Sequence, residues 1–170
     1  MLKPSKIALG AAMAFYAAMP AWADDMGLCL DTKQVEACTR LIDSGKYDQI
    51  LRANLFTLRG FAHKARGELD QAIADYSESI RLDPRNAFVF VDLGVTHENK
   101  GELEQAIADY SEAIRINPKV VDAFYNRGLL YEKKGDTAAA LADFRSCQRL
   151  VPNNLAASAA IARVTKQKKP

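Results

Sequence analysis

Residues 67–84 read GELDQAIADYSESIRLDP and residues 101–118 read GELEQAIADYSEAIRINP. Only four of these eighteen places differ, and the offset is 34 residues. A weaker third copy, GDTAAALADFRSCQRLVP, occupies 135–152 at the same offset. Outward from these segments the offset also aligns Phe56, Phe90 and Phe124, and Gly60, Gly94 and Gly128. Self-similarity at this fixed period marks stacked structural units.

Each unit reads as two helices. The first is expected over 53–65, 87–100 and 121–134, ended by Gly67, Gly101 and Gly135, as glycine ends helices. The second is expected over 69–81, 103–116 and 137–150. In the first two copies Ala72, Ile73, Tyr76, Ile80 and Ala106, Ile107, Tyr110, Ile114 recur at helical spacing. Pro84, Pro118 and Pro152 close the units, since proline's ring and missing N–H stop a helix.

This length and punctuation resemble the tetratricopeptide repeat. Its marks are a bulky residue, Gly, an aromatic, a turn Gly, Ala, an aromatic, a small residue and Pro. The first unit supplies Phe56, Gly60, His63, Gly67, Ala72, Tyr76, Ser79 and Pro84. The second supplies Phe90, Gly94, His97, Gly101, Ala106, Tyr110, Ala113 and Pro118, and the third Phe124, Gly128, Tyr131, Gly135, Ala140, Phe144, Cys147 and Pro152. His63 and His97 depart from the pattern in an aromatic slot, and Thr137 and Gln148 weaken the third second-helix. The resemblance implies an all-α solenoid of three repeats, at 53–86, 87–120 and 121–154. One such unit cannot bury its own faces, so the ends need caps. Residues 24–52 read as a degenerate leading unit, with Asp31 and Gln34 as a capping box and Cys38 in the place that Tyr76 holds later. At 155–170 an Ala-rich closing helix leads to a basic tail, with Arg163 facing water.

The resemblance also implies a concave groove lined by the first helices. Its residues here would be Asn54, Thr57, Leu58 and Phe61; Phe88, Val91, Asp92 and Val95; Asp122, Tyr125, Asn126 and Leu129. Some family members hold a peptide's terminal carboxylate there with basic residues and asparagine. These twelve include no basic residue and two acids, which disfavours that ligand. Phe61, Val95 and Leu129 recur at the repeat offset and form a candidate apolar ridge. Such a ridge suits an amphipathic helix or an extended segment of another protein; the alternative is that these side chains belong to the core.

The first residues, MLKPSKIALGAAMAFYAAMPAWADD, have the three parts of a secretory signal: Lys3 and Lys6, the apolar run Ile7 to Met19, and the small-x-small site Ala21-Trp22-Ala23. Cleavage after Ala23 is expected, with export to the periplasm. An uncleaved anchor is the rival, but the uncharged run is at the short limit for a spanning helix. Leu28 before Cys29 disfavours lipidation. Of 23 basic and 21 acidic residues, cleavage removes only Lys3 and Lys6, leaving 21 of each and no net charge. A neutral body argues against nucleic-acid binding, which draws on a clustered basic face. Cys29 and Cys38 suit a structural disulfide in an oxidising compartment; no CxxC pair or nearby histidine supports metal or redox chemistry. Cys147 reads as an unpaired, buried thiol.

No catalytic constellation emerges. Serine hydrolysis needs a histidine held beside a serine, whereas His63 and His97 repeat at one packing position. Too few further ligands accompany them for a metal site. Asp75 with Glu78 and Asp109 with Glu112 read as solvated helix faces, and no phosphate-binding glycine loop is present. The sequence calls for no enzyme activity and no cofactor. It points to a protein or peptide partner; a self-associating spacer is the alternative, and a carrier using the two histidines a remoter one.

Overall fold

A computed structural model describes residues 35–167 together with Asp25 and Cys29. The expected signal at 1–23 and the Asp31–Gln34 capping box lie outside the described residues. Among the described residues there are eight helices and no strand. They are α1 (Val35–Asp43), α2 (Gln49–Ala65), α3 (Leu69–Leu82), α4 (Ala87–Lys100), α5 (Leu103–Ile116), α6 (Val121–Lys133), α7 (Thr137–Leu150) and α8 (Leu155–Gln167). Each helix packs chiefly on its neighbours in sequence, and the result is an all-α solenoid.

The local chemistry explains the boundaries. Pro84, Pro118 and Pro152 each follow a helix end within two residues. After α2, α4 and α6 the chain reverses through one motif. The Gly67 N–H donates to the Lys64 carbonyl (3.0 Å) and the Glu68 N–H to the His63 carbonyl (2.9 Å), with the same bonds at Gly101 and Gly135. Gly101 needs φ of +83°, which side chains resist. One helix differs from expectation: α2 begins at Gln49, four residues before Ala53. Where the later repeats carry Pro84 and Pro118, this one carries Ile50, and Asp48 accepts the Leu51 N–H at 2.8 Å as an N-cap.

Within each repeat the two helices touch at a glycine. A Cβ at Gly60, Gly94 or Gly128 would stand 2.9, 2.7 or 2.8 Å from Cε1 of Tyr76, Tyr110 or Phe144. Those three rings are fully buried. Thus the glycine and the aromatic of the repeat pattern are two halves of one contact, and interior packing leaves no slack there.

The first end is closed covalently: Cys29 and Cys38 form a disulfide with Cα atoms 4.8 Å apart, inside the cluster of Leu41, Leu55 and Phe56. The expected place of Cys38 is corrected. Helix α1 starts 34 residues before α3, so Cys38 falls in register with Ala72, and Ile42 takes the place of Tyr76. Both are buried, and the small slot suits a half-cystine. At the other end Ala157, Ala160 and Val164 of α8 bury against α7 and α6. Arg163 does more than face water: it grips Glu132 of α6 through two bonds of 2.7 and 2.6 Å. No described helix is long and apolar enough to cross a membrane.

Candidate functional site

On α4, Phe88, Val91, Asp92 and Val95 stand at i, i+3, i+4 and i+7, which puts them on one face. The 34-residue offset repeats this stripe as Asn54, Thr57, Leu58 and Phe61 on α2, and as Asp122, Tyr125, Asn126 and Leu129 on α6. None of the twelve is buried. Their exposure is unequal: Phe88 is 64% and Phe61 40% exposed, and Asn54 and Asp122 are also open. Leu58, Val91, Val95, Tyr125 and Leu129 are partly covered because they also pack against the core clusters. The Tyr125 ring lies 5.7 Å from that of Phe144. Of the ridge Phe61, Val95 and Leu129, therefore, Phe61 projects while the other two lean into the core. Phe88, one helix on, adds the second open aromatic.

The stripe extends one turn beyond the residues that sequence reading named. Lys64, Glu98 and Glu132 continue it at the same offset. Lys64 is a basic residue on this face, yet its charge is engaged. The ammonium lies 3.0 Å from Asp92 Oδ1 and 4.2 Å from the Phe61 ring centre, tying α2 to α4. Glu98 accepts the Tyr110 hydroxyl at 3.2 Å. The Arg163 guanidinium holds Glu132 below the usual carboxylate range. These bonds brace neighbouring helices, so the face is pre-shaped. The signal was available: one further step of the i, i+3, i+4 pattern reaches all three residues.

The acidic residues beside the repeat aromatics are not solvated, contrary to the expectation for Asp75 and Asp109. Asp75 and Asp143 are buried and each is held by an arginine of the preceding helix. Arg59 binds both oxygens of Asp75 (2.9 and 2.7 Å), and its third nitrogen reaches Thr39. Arg127 binds both oxygens of Asp143 at 2.9 Å and reaches Ser111 at 2.8 Å. In the middle repeat the arginine place holds Leu93, and His97 Nδ1 meets Asp109 Oδ2 at 2.6 Å instead. Burial raises the Asp109 carboxyl above its ordinary range, and the bond to His97 opposes that shift. His63 Nδ1 meets Glu68 Oε2 at 2.5 Å. The partners lie 16 residues away in sequence for the two arginines, beyond the reach of helical periodicity. Glu78 and Glu112 pair with Arg81 and Arg115 at the surface. No set of three or more His, Cys, Asp or Glu placed to hold a metal occurs among the described residues.

Cys147 is buried and unpaired, and burial pushes its thiol up to about 11. It stands in the small-residue place taken by Ser79 and Ala113. Its inert setting accords with a packing role.

Comparison with known proteins follows the same 34-residue architecture. A model of the TPR repeat matches residues 60–101 and 99–135, and one of the tetratricopeptide repeat matches 121–154. No curated protein matches the chain in sequence. Among solved structures, the TPR domain of Arabidopsis OM64 is 27% identical, with a TM-score of 0.67 over 71% of this chain and 99% of that one. The first TPR domain of Spaghetti (RPAP3), solved with an HSP90 peptide, is 20% identical, with a TM-score of 0.66 over 69% of this chain and 94% of its own. A crystal structure of MamA is 19% identical and covers 96% of this chain and 86% of its own, at a TM-score of 0.72. The repeat matches together run from residue 60 to 154, more than half of the 170 residues, and the chain belongs to the tetratricopeptide-repeat family.

Proposed function

We propose that this protein is a non-catalytic interaction scaffold that holds a segment of another protein on the face formed by α2, α4 and α6. The observation that carries this reading is the pair of open aromatics, Phe61 and Phe88, on successive first helices of a braced face. An exposed aromatic on a rigid element offers a large contact area at small ordering cost, as interaction hot spots do. The Spaghetti domain, of the same fold, was solved with a peptide bound. Here the one basic residue on the stripe is already paired with Asp92. Apolar anchoring therefore fits this face better than capture of a terminal carboxylate.

The setting belongs to the same proposal: export directed by residues 1–23, cleavage after Ala23 and residence in the bacterial cell envelope. N-terminal sequencing of protein recovered from the envelope tests it, and a first residue other than Asp24 would move or remove the cleavage site. The scaffold role is tested by affinity capture from envelope extract with the tagged mature protein and the variant Phe61→Glu/Phe88→Glu. A partner held by the wild type and lost by the variant, with helicity equal, supports the face. Recovery of the protein alone favours the self-associating spacer.

A further inference from the structure

The third repeat departs from the first two at one place on its surface. In α3 the residues Ser77, Glu78, Ile80 and Arg81 occupy the last turns, and in α5 Ser111, Glu112, Ile114 and Arg115 do the same. The equivalent places in α7 hold Arg145, Ser146, Gln148 and Arg149. In the earlier repeats the arginine is neutralised by the glutamate three residues before it, at 2.6 Å for Arg81–Glu78 and 2.5 Å for Arg115–Glu112. In the third repeat that glutamate is gone, and a second arginine has replaced a serine. Among the described residues Arg149 donates only to the Ser146 hydroxyl, at 2.8 Å. Arg145 has no hydrogen-bond or ion-pair partner among the described residues.

Arg145, Gln148, Arg149 and Pro152 line a shallow, open cleft of about 510 Å3. Gln148 is held in place by donating to Ser158 of α8 at 3.0 Å. Leu150 and Val151, between Arg149 and Pro152 in the chain, are 37% and 43% exposed. From residue 144 to 170 the chain has six basic residues and no Asp or Glu. The preceding acid, Asp143, is buried in its bidentate pair with Arg127.

We infer that this cleft is a second binding site, separate from the first-helix face, and that it takes an acidic segment of a protein partner. The two guanidiniums stand at i and i+4, so their Cβ atoms are about 5–6 Å apart. That spacing suits two separate carboxylates, one helical turn apart or two residues apart on an extended strand. Arg145 can make the planar two-bond contact that carboxylates accept, and Arg149 keeps donors beyond the one it gives Ser146. The exposed Leu150 and Val151 supply an apolar border for the same segment.

The test uses the mature protein and a fluorescein-labelled octaglutamate peptide, read by anisotropy at low and at physiological salt. Arg145→Ser/Arg149→Gln should weaken binding by roughly tenfold or more, the loss of about one charge-assisted pair, with far-UV dichroism unchanged. Lys168→Gln/Lys169→Gln and Phe61→Glu/Phe88→Glu should both leave it unchanged, so the outcome is independent of the proposed scaffold face. Equal affinity in the double arginine variant overturns the site. So does a loss of the same size in the tail variant, which would assign binding to the tail. Inorganic phosphate competing as strongly as the peptide, or phosphatidylglycerol vesicles binding through the same arginines in preference to it, would also overturn an acidic-protein site.

Discussion

Arg127 holds the buried carboxylate of Asp143 by both oxygens, each at 2.9 Å, and spends its remaining nitrogen on Ser111 of the repeat before. One side chain thus joins the two helices of its own repeat and ties them to the preceding unit. Removing one partner of such a pair leaves a buried charge without compensation, which costs more than the pair itself contributes.

Arg127→Leu should therefore destabilise the fold by about 3–5 kcal/mol. The middle repeat shows the remedy: Leu93 stands in the arginine place there, and His97 alone serves Asp109. Adding Tyr131→His, the equivalent of His97, should recover part of the loss. Urea unfolding of the three proteins checks this; a double variant no more stable than Arg127→Leu would show that the two repeats do not exchange solutions.

Gly94→Ala should cost about 1–3 kcal/mol, the range for overpacking a filled core. The new Cβ would meet the Tyr110 ring at 2.7 Å, and that ring is fully buried. Thermal melts followed by dichroism decide it. An unchanged midpoint would mean that the α4–α5 contact yields easily.

The Cys29–Cys38 bridge closes a loop of sequence separation nine. Chain-entropy reasoning assigns it about 2–3 kcal/mol. Cys29→Ser/Cys38→Ser should lower the melting temperature while leaving the three repeats helical. Thiol counting of the native oxidised protein in denaturant should find one thiol, that of Cys147, and three after reduction.

Cys147 carries a pH signature. Its folded pKa, about 11, lies above the ordinary thiol value of 9.0. A raised folded pKa means that the unfolded chain loses the proton first as pH rises. The contribution to stability is complete below pH 9 and disappears as pH approaches 11. Cys147→Ala copies Ala113 of the middle repeat and lacks this dependence. Between pH 9 and 11 the wild type should lose stability relative to that variant. Parallel stability curves would mean that the thiol is not held neutral by its surroundings.

The 34-residue period, the glycine and proline stops and the buried aromatics were legible in the sequence because each depends on local backbone chemistry and on which helix face a residue occupies. The family and the all-α architecture follow from those features. The start of α2 at Gln49 departed from the expected residue 53, although the proline missing at Ile50 carried a signal for it. What the tertiary structure alone decided is which charges meet: Arg59 with Asp75, Lys64 with Asp92, and Arg163 with Glu132, across 16, 28 and 31 residues. It also decided that Phe61 and Phe88 project while Val95 and Leu129 lean inward. The reason is physical. Periodicity assigns a residue to a face, but exposure and pairing depend on how closely the next helix approaches that face and on what it carries there.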